Sequence, residues 1–246
     1  MSDPYKIGYV GLGNIGVQVC NNLGRYASSN NLPPLSIWNR SPEKYTQVAE
    51  DCKGAHLAKE VEEVVERSNV IFTCLLDDTA AENVYGKMFE AVKGKGEEGL
   101  VFADQSTLNP KTASEYTGHT FAIMRLMDRC KGKLQANAQQ VGVTYLSCPV
   151  FGQVAAAKAA QIVLVISGAE AGRERIKPML VPAIGRATID VGEDAGKGGP
   201  GITQLVYRKL KLDSCRVIPQ VTRKHLYPRH RRAPRRNLCP RRLDRF

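Results

Sequence analysis

The sequence predicts an α/β fold built on a doubly wound, mainly parallel sheet. Three observations carry that expectation. Short apolar segments rich in β-branched and aromatic residues alternate with amphipathic helical segments from residue 5 to about residue 192. A glycine-rich turn, Gly11-Leu12-Gly13-Asn14-Ile15-Gly16, falls between the first strand-like and the first helix-like segment. Strands separated by helices must also pair in parallel, because each helix is the crossover that returns the chain to the same sheet edge.

Taken in order, residues 5–10 (Tyr-Lys-Ile-Gly-Tyr-Val) read as a strand. Asn14 to Tyr26 reads as a helix, with Ile15, Val19 and Leu23 four residues apart on one face. Leu35 to Asn39 is the second strand, Pro42 to Asp51 a helix behind an N-cap-like Ser41, and Ala55 to Leu57 a third strand. The alternation repeats with a helix over Glu60 to Arg67 and a buried strand over Asn69 to Leu75. A helix over Thr79 to Val92, capped by Asp77 or Asp78, then leads to a strand over Leu100 to Asp104. A long helical region runs from Pro110 to about Val141. Strands at Thr144 to Leu146 and Gln161 to Ile166, a helix from Ala169 to Met179, and a strand at Ala187 to Val191 extend the sheet. Residues 118–133, oddly apolar and Met-bearing between polar helical pieces, read as an insertion. Residues 1–192 thus read as one α/β domain, and 193–246 as a remnant linker or helix followed by an irregular Arg/Pro-rich tail.

A composition of 43% hydrophobic and 24% charged residues in 246 suffices for a real core and excludes wholesale disorder or a fibrous repeat. The net charge of +11 is misleading as an average. Residues 1–202 carry 21 Lys/Arg and 22 Asp/Glu, net −1, whereas residues 203–246 carry 14 Lys/Arg against two Asp, net +12. Basicity therefore belongs to the tail, and nucleic acid is expected as a partner only through it. No apolar run approaches the roughly 20 residues of a membrane-spanning helix, and the amino terminus lacks the regions of a secretory signal, so a cytoplasmic location is expected and no membrane partner. Seven scattered cysteines without Cys-x-x-Cys read as reduced packing residues, and the four histidines show no zinc-ligand spacing, so no metal is expected.

Placed between a strand and a helix, the glycine motif becomes a dinucleotide fingerprint. Gly11 permits the tight turn, Gly13 lets backbone approach the pyrophosphate, Gly16 lets the helix close on the sheet, and the helix N-terminus offers N–H donors. The end of the second strand selects the dinucleotide: an Asp or Glu there would bond the ribose 2′-hydroxyl and repel a 2′-phosphate. Asn39-Arg40-Ser41 stands there instead, and the Arg40 fork with the Ser41 hydroxyl favours NADP(H).

The sequence resembles the β-hydroxyacid dehydrogenases, which include 3-hydroxyisobutyrate dehydrogenase and the coenzyme domain of 6-phosphogluconate dehydrogenase. Gly8 to Gly16 is similar to the opening motif of that family, and Trp38-Asn39-Arg40-Ser41 to its NADP-type second strand. Val70 to Asp78 resembles the loop that runs past the nicotinamide, with Leu75 and Leu76 at the cofactor and Leu76 in place of the usual proline. Asp104-Gln105-Ser106-Thr107 with Pro110 is similar to the substrate-binding Asp-x-Ser-Thr segment. The resemblance implies a Rossmann-type domain and an oxidoreductase that binds NADP(H) and acts on a small hydroxy acid or its aldehyde or other carbonyl form. It implies cofactor contacts from Gly11, Leu12, Gly13, Asn14, Ile15, Gly16, Asn39, Arg40, Ser41, Leu75, Leu76 and Ser106.

It further implies that Ser106, Thr107 and Gly152 face the substrate; an N-cap role of Ser106 for the next helix is compatible with that contact. Cys148 to Gln153 is similar to the second substrate segment, but Phe151 and Gln153 replace the usual Ser and Gly, and Phe151 reads as packing or contact. Family enzymes place a catalytic Lys, with an Asn four residues on, ahead of an all-helical second domain. Lys211 is the nearest likeness, with Cys215 at the Asn position; Lys209 is followed by Asp213. The basic tail thus stands in place of that domain, so impaired turnover is expected, along with self-association through uncovered apolar surface. The alternative is a noncatalytic dinucleotide-binding module with a nucleic-acid-binding tail, since some relatives lack the catalytic lysine and act in chromatin.

Overall fold

The computed structural model describes residues 5–48, 52, 54–93, 99–106 and 131–194. Among them are nine strands: β1 (Ile7–Val10), β2 (Ser36–Trp38), β3 (His56–Leu57), β4 (Val70–Thr73), β5 (Val101–Asp104), β6 (Thr144–Ser147), β7 (Val150–Phe151), β8 (Ile162–Gly168) and β9 (Gly185–Asp190). The first six run in the order β3-β2-β1-β4-β5-β6, all parallel. That is the doubly wound Rossmann arrangement, whose direction of winding reverses at β1. Beyond β6 the sheet turns mixed: β8 runs antiparallel to β6 and β7, and β9 parallel to β8.

The helices are α1 (Asn14–Ser29), α2 (Val61–Arg67), α3 (Asp78–Val92), α4 (131–140), α5 (Val154–Lys158) and α6 (Glu170–Met179), with a 3-10 helix over Pro42–Gln47. They cover both faces of the sheet, which is why β1, β4 and β5 are buried along their whole length. Alternate residues of these strands go to opposite faces. Tyr9, Phe72 and Ala103 pack with Leu23 of α1 and Ile176 of α6, whereas Val10, Ile71 and Phe102 pack with Val64, Tyr85 and Leu134 of α2, α3 and α4. On the second face Tyr85, Phe89, Phe102 and Tyr145 form an aromatic cluster of tilted and edge-on pairs with centroids 5.6–6.1 Å apart.

The strand register sets the site. Val10 pairs with Trp38 and Thr73, Thr73 with Asp104, and Asp104 with Ser147. These residues therefore share one level at the carboxyl edge of the parallel sheet, where open α/β sheets bind ligands.

The structure corrects several expectations. Of the predicted helix over residues 42–51, Pro42–Gln47 is a 3-10 helix and 49–51 lie outside the described residues; Ser41 makes no capping bond through its side chain. Of the two expected caps of α3, Asp77 takes the role by accepting the Ala80 N–H at 2.7 Å, in keeping with the sequence reading. The hairpin strand β7 and the five-residue α5 were unforeseen, because elements this short show no period. Strand β9 begins at Gly185, after a kink at Val181 that breaks the helical path from α6. Its one large apolar residue, Ile189, is half-buried, and the exposed large apolar residues among those described, Leu57, Leu76, Val154 and Val181, lie elsewhere. Of the predicted insertion, 118–130 lies outside the described residues, while Lys131 to Lys133 belong to α4. Residues 195–246, including the predicted basic tail, also lie outside them. No helix among the described residues is long and apolar enough to cross a membrane.

Candidate functional site

The glycine turn closes on the sheet at two points and opens at a third. Gly11 has φ +98°, and a Cβ there would sit 2.3 Å from the Cys74 carbonyl oxygen; a Cβ on Gly16 would sit 2.2 Å from the Gly11 carbonyl oxygen. Only glycine lets β1, the loop after β4 and the first turn of α1 approach this closely. A Cβ on Gly13 would meet nothing within 4 Å, so this position faces open space. Gly13 is also the N-cap of α1 and supplies no side-chain acceptor. The first turn of α1 leaves the backbone donors of Asn14 and Ile15 for an acceptor from outside. An open cradle with free N–H groups at a helix N-terminus fits a pyrophosphate.

Leu12 brings neither its buried side chain nor its N–H to that opening. The N–H donates to Asn39 Oδ1 at 2.7 Å, while Asn39 Nδ2 donates to the Ser41 carbonyl at 2.9 Å. Asn39 therefore ties the glycine turn to the loop after β2, and the Gly11 N–H adds a bond to the Trp38 carbonyl at 2.9 Å. Tyr45 holds the same loop from outside: its hydroxyl accepts the Asn39 N–H at 3.1 Å and donates to the Ala58 carbonyl at 2.8 Å. Arg40, by contrast, is exposed, and among the described residues neither it nor Ser41 makes a side-chain hydrogen bond. The free fork and hydroxyl sit beside a turn that is already fixed.

At the other end of the site lies a buried polar cluster. Asp104, 2% exposed, accepts from the Thr73 hydroxyl at 3.1 Å, the Ser106 N–H at 2.9 Å and the Tyr145 hydroxyl at 2.8 Å. The Ser106 hydroxyl accepts the Leu75 N–H at 2.9 Å, so the segment after β5 and the loop after β4 are joined. Lys131 donates to Ser147 Oγ at 3.0 Å and to the Ser106 carbonyl at 3.3 Å, and lies 3.9 Å from Asp104. Leu75 is half-buried and Leu76 is 57% exposed at the mouth of this region. Gly152 lies at the end of β7 with φ +157°, where a Cβ would strike Ile162 at 2.5 Å; Phe151 is half-buried. Thr107 and Lys211 lie outside the described residues.

Burial pushes the Cys74 and Cys148 thiols up to about 12, with the Asp104 charge adding to both, so neither supplies a thiolate at neutral pH. The structure thus brings together the glycine turn, Asn39 to Ser41, Leu75, Leu76 and Ser106 along one sheet edge. Sequence reasoning missed Thr73, Tyr145 and Lys131. Thr73 and Tyr145 sit at strand positions that read as ordinary β-formers, and Lys131 sat within a segment read as inserted. The aligned strand ends were the available signal for the first two.

Residues 6–122 match the family described as the NAD binding domain of 6-phosphogluconate dehydrogenase. The chain is 28% identical over 167 residues to the NADH-dependent oxidoreductase ucdB of Aspergillus ustus, covering 68% of this chain and 50% of that protein. It is 25% identical over 170 residues to mitochondrial 3-hydroxyisobutyrate dehydrogenase of Mus musculus, covering 69% of this chain and 43% of that one. The chain therefore spans about half the length of the relatives it matches. In structure it is similar to 3-hydroxyisobutyrate dehydrogenase of Mycobacterium tuberculosis, with TM-score 0.64 and 22% identity over 85% of this chain and 60% of that one. The fold order, the glycine cradle and these likenesses agree: residues 6–122 are similar to the NAD binding domain of 6-phosphogluconate dehydrogenase, and the homologues of the chain are 3-hydroxyisobutyrate dehydrogenase-like enzymes.

Proposed function

We propose that the chain binds NADP(H) and belongs to an oxidoreductase of the β-hydroxyacid type, acting on a small hydroxy acid or its carbonyl form. One observation carries the choice of dinucleotide. Beside a glycine cradle open at Gly13, the end of β2 presents Arg40 and Ser41 without side-chain partners among the described residues and without a carboxylate at Asn39. A guanidinium held there would pair with a 2′-phosphate in bidentate fashion, and the Ser41 hydroxyl would add a donor. In this reading Gly11, Gly13, Gly16 and the first turn of α1 hold the pyrophosphate, and Leu75 and Leu76 line the nicotinamide end. When bound, the nicotinamide supplies the hydride chemistry. Ser106, whose oxygen already accepts from Leu75, keeps its own O–H for a substrate carboxylate, and Lys211 is the candidate acid/base. A cytoplasmic location and self-association go with this reading, to be checked by fractionation and light scattering.

The deciding experiment is a side-by-side titration of the purified chain with NADPH and NADH, followed by energy transfer from Trp38, its one tryptophan, which lies at the end of β2. Tighter binding of NADPH supports the assignment; tighter binding of NADH, the cofactor in the name of the Aspergillus ustus relative, overturns it.

The charge partition favours a second reading. With net +12 in residues 203–246 and −1 in the rest, the tail could neutralise several phosphates while the domain binds a dinucleotide without turnover. DNA binding with a steep salt dependence, lost on deleting residues 216–246, would establish it.

A further inference from the structure

The carboxyl ends of β5 and β6 hold a buried cation that the dinucleotide reading leaves without a role. Lys131, on α4, is 8% exposed. A lysine removed from water must regain its lost hydration from the protein. Here the replacements come from two strand ends: the Ser147 hydroxyl at 3.0 Å beyond β6, and the Ser106 carbonyl at 3.3 Å with Asp104 at 3.9 Å beyond β5. Ser106 is thereby fixed at both of its backbone groups, since its N–H donates to Asp104 at 2.9 Å. Its hydroxyl in turn accepts the Leu75 N–H at 2.9 Å. A continuous run of polar contacts leads from α4 through Ser106 to the loop after β4. In a sheet ordered β3-β2-β1-β4-β5, the adenosine ribose is met at the end of β2, so the nicotinamide half lies on the far side of the pyrophosphate, toward β4 and β5.

We propose that Lys131 is a positioning residue for the nicotinamide end of the site: it holds Ser106, and through Ser106 the backbone of Leu75, against the position of the ring. The inference rests on the dinucleotide reading above, and it separates the two halves of the ligand. Affinity for the nicotinamide half depends on Lys131, and affinity for the adenosine half does not.

The test titrates the full chain with NADPH and with 2′-phospho-ADP-ribose, which is NADP without its nicotinamide ring. Lys131→Met should weaken NADPH about tenfold, the scale of a lost charge-assisted hydrogen bond, and leave 2′-phospho-ADP-ribose unchanged. Lys131→Arg should restore part of the loss. Ser147→Ala removes one acceptor without a charge change, so it decides the matter if Lys131→Met fails to fold; a smaller loss with the same asymmetry is expected. Equal weakening of both ligands, as a general loosening of the fold would give, overturns the proposal. So does NADPH affinity that no variant changes, or a wild-type chain that gains nothing from the nicotinamide ring. If the wild-type chain binds neither ligand, the dinucleotide reading itself fails and takes this inference with it.

Discussion

Arg40 and Asn39 are neighbours with opposite bonding, and their substitutions should separate accordingly. Arg40 is exposed and spends nothing on the fold. Arg40→Ala should therefore weaken NADPH by roughly 10- to 150-fold, the worth of about 1.5–3 kcal/mol for a charge-assisted bond, while leaving NADH and stability nearly unchanged. Asn39 is built in: it accepts the Leu12 N–H and donates to the Ser41 carbonyl. Asn39→Ala leaves a part-buried donor unsatisfied, so it should cost about 1–3 kcal/mol of stability and weaken both nucleotides alike. Fluorescence titration of each variant with both cofactors, beside a urea melt, checks the pair. From the sequence both residues looked like cofactor contacts. The difference between a residue that would touch the ligand and one that shapes the loop lies in the side-chain geometry, and residue types do not carry it.

At the scale of elements, the first βα unit is where sequence and structure agree most closely, because its signals are local. A buried strand, three spaced glycines and a helix period specify β1, the turn and α1 without distant partners. Their roles nonetheless differ, and alanine tells them apart. Gly11→Ala forces a side chain onto a positive φ and against the Cys74 carbonyl, so a loss of at least about 1–3 kcal/mol is expected. Gly13→Ala faces open space and should cost less than about 1 kcal/mol at an N-cap, yet lose nucleotide affinity because its methyl fills the cradle. Denaturant melts beside NADPH titrations should therefore separate the two: Gly11→Ala loses stability and affinity together, whereas Gly13→Ala loses affinity with little change in stability. Helix α2 offers a pH test. The hydrogen bond from His56, with the N–H groups of Glu60 and Lys59, holds the Glu63 carboxyl below the usual carboxylate range. A lowered folded value means that the stabilisation is present above the unfolded carboxylate pKa and is lost as pH falls through the folded one. Melting temperature should fall on acidification through that window, and Glu63→Gln should flatten that part of the profile. The elements that were misread are those whose form depends on distant neighbours: the 3-10 helix over Pro42–Gln47, the two-residue β7 and the five-residue α5.

For the whole molecule, the dinucleotide half of the site was legible and the chemistry half was not, for one physical reason. On the proposed reading, pyrophosphate and ribose are met by backbone and by residues of a single βαβ unit, whereas the polar cluster of Thr73, Asp104, Lys131, Tyr145 and Ser147 is assembled from β4, β5, β6 and α4 by strand register. That division leads to a prediction about the 246-residue chain: it should bind NADPH while turning over substrate weakly or not at all. On the proposed reading, binding needs Gly11, Gly13, Gly16 and Arg40, all within the first two βα units. Turnover also needs an acid/base within about 2.6–3.2 Å of the substrate oxygen. Cys74 and Cys148, the thiols at this edge, are held protonated by burial, and Lys131 is occupied by Ser106, Ser147 and Asp104. The remaining candidate, Lys211, has Cys215 where the resemblance expects its Asn partner. Loss of general acid/base catalysis alone costs roughly 10²–10⁴-fold in rate, and poor positioning adds to it. The measurement is paired: NADPH titration by fluorescence, then steady-state rates with short hydroxy acids, aldehydes and 2-oxo acids. Saturable nucleotide binding with rates at that deficit is the expected result. Fast turnover that Lys211→Ala abolishes would show instead that Lys211 serves as the acid/base.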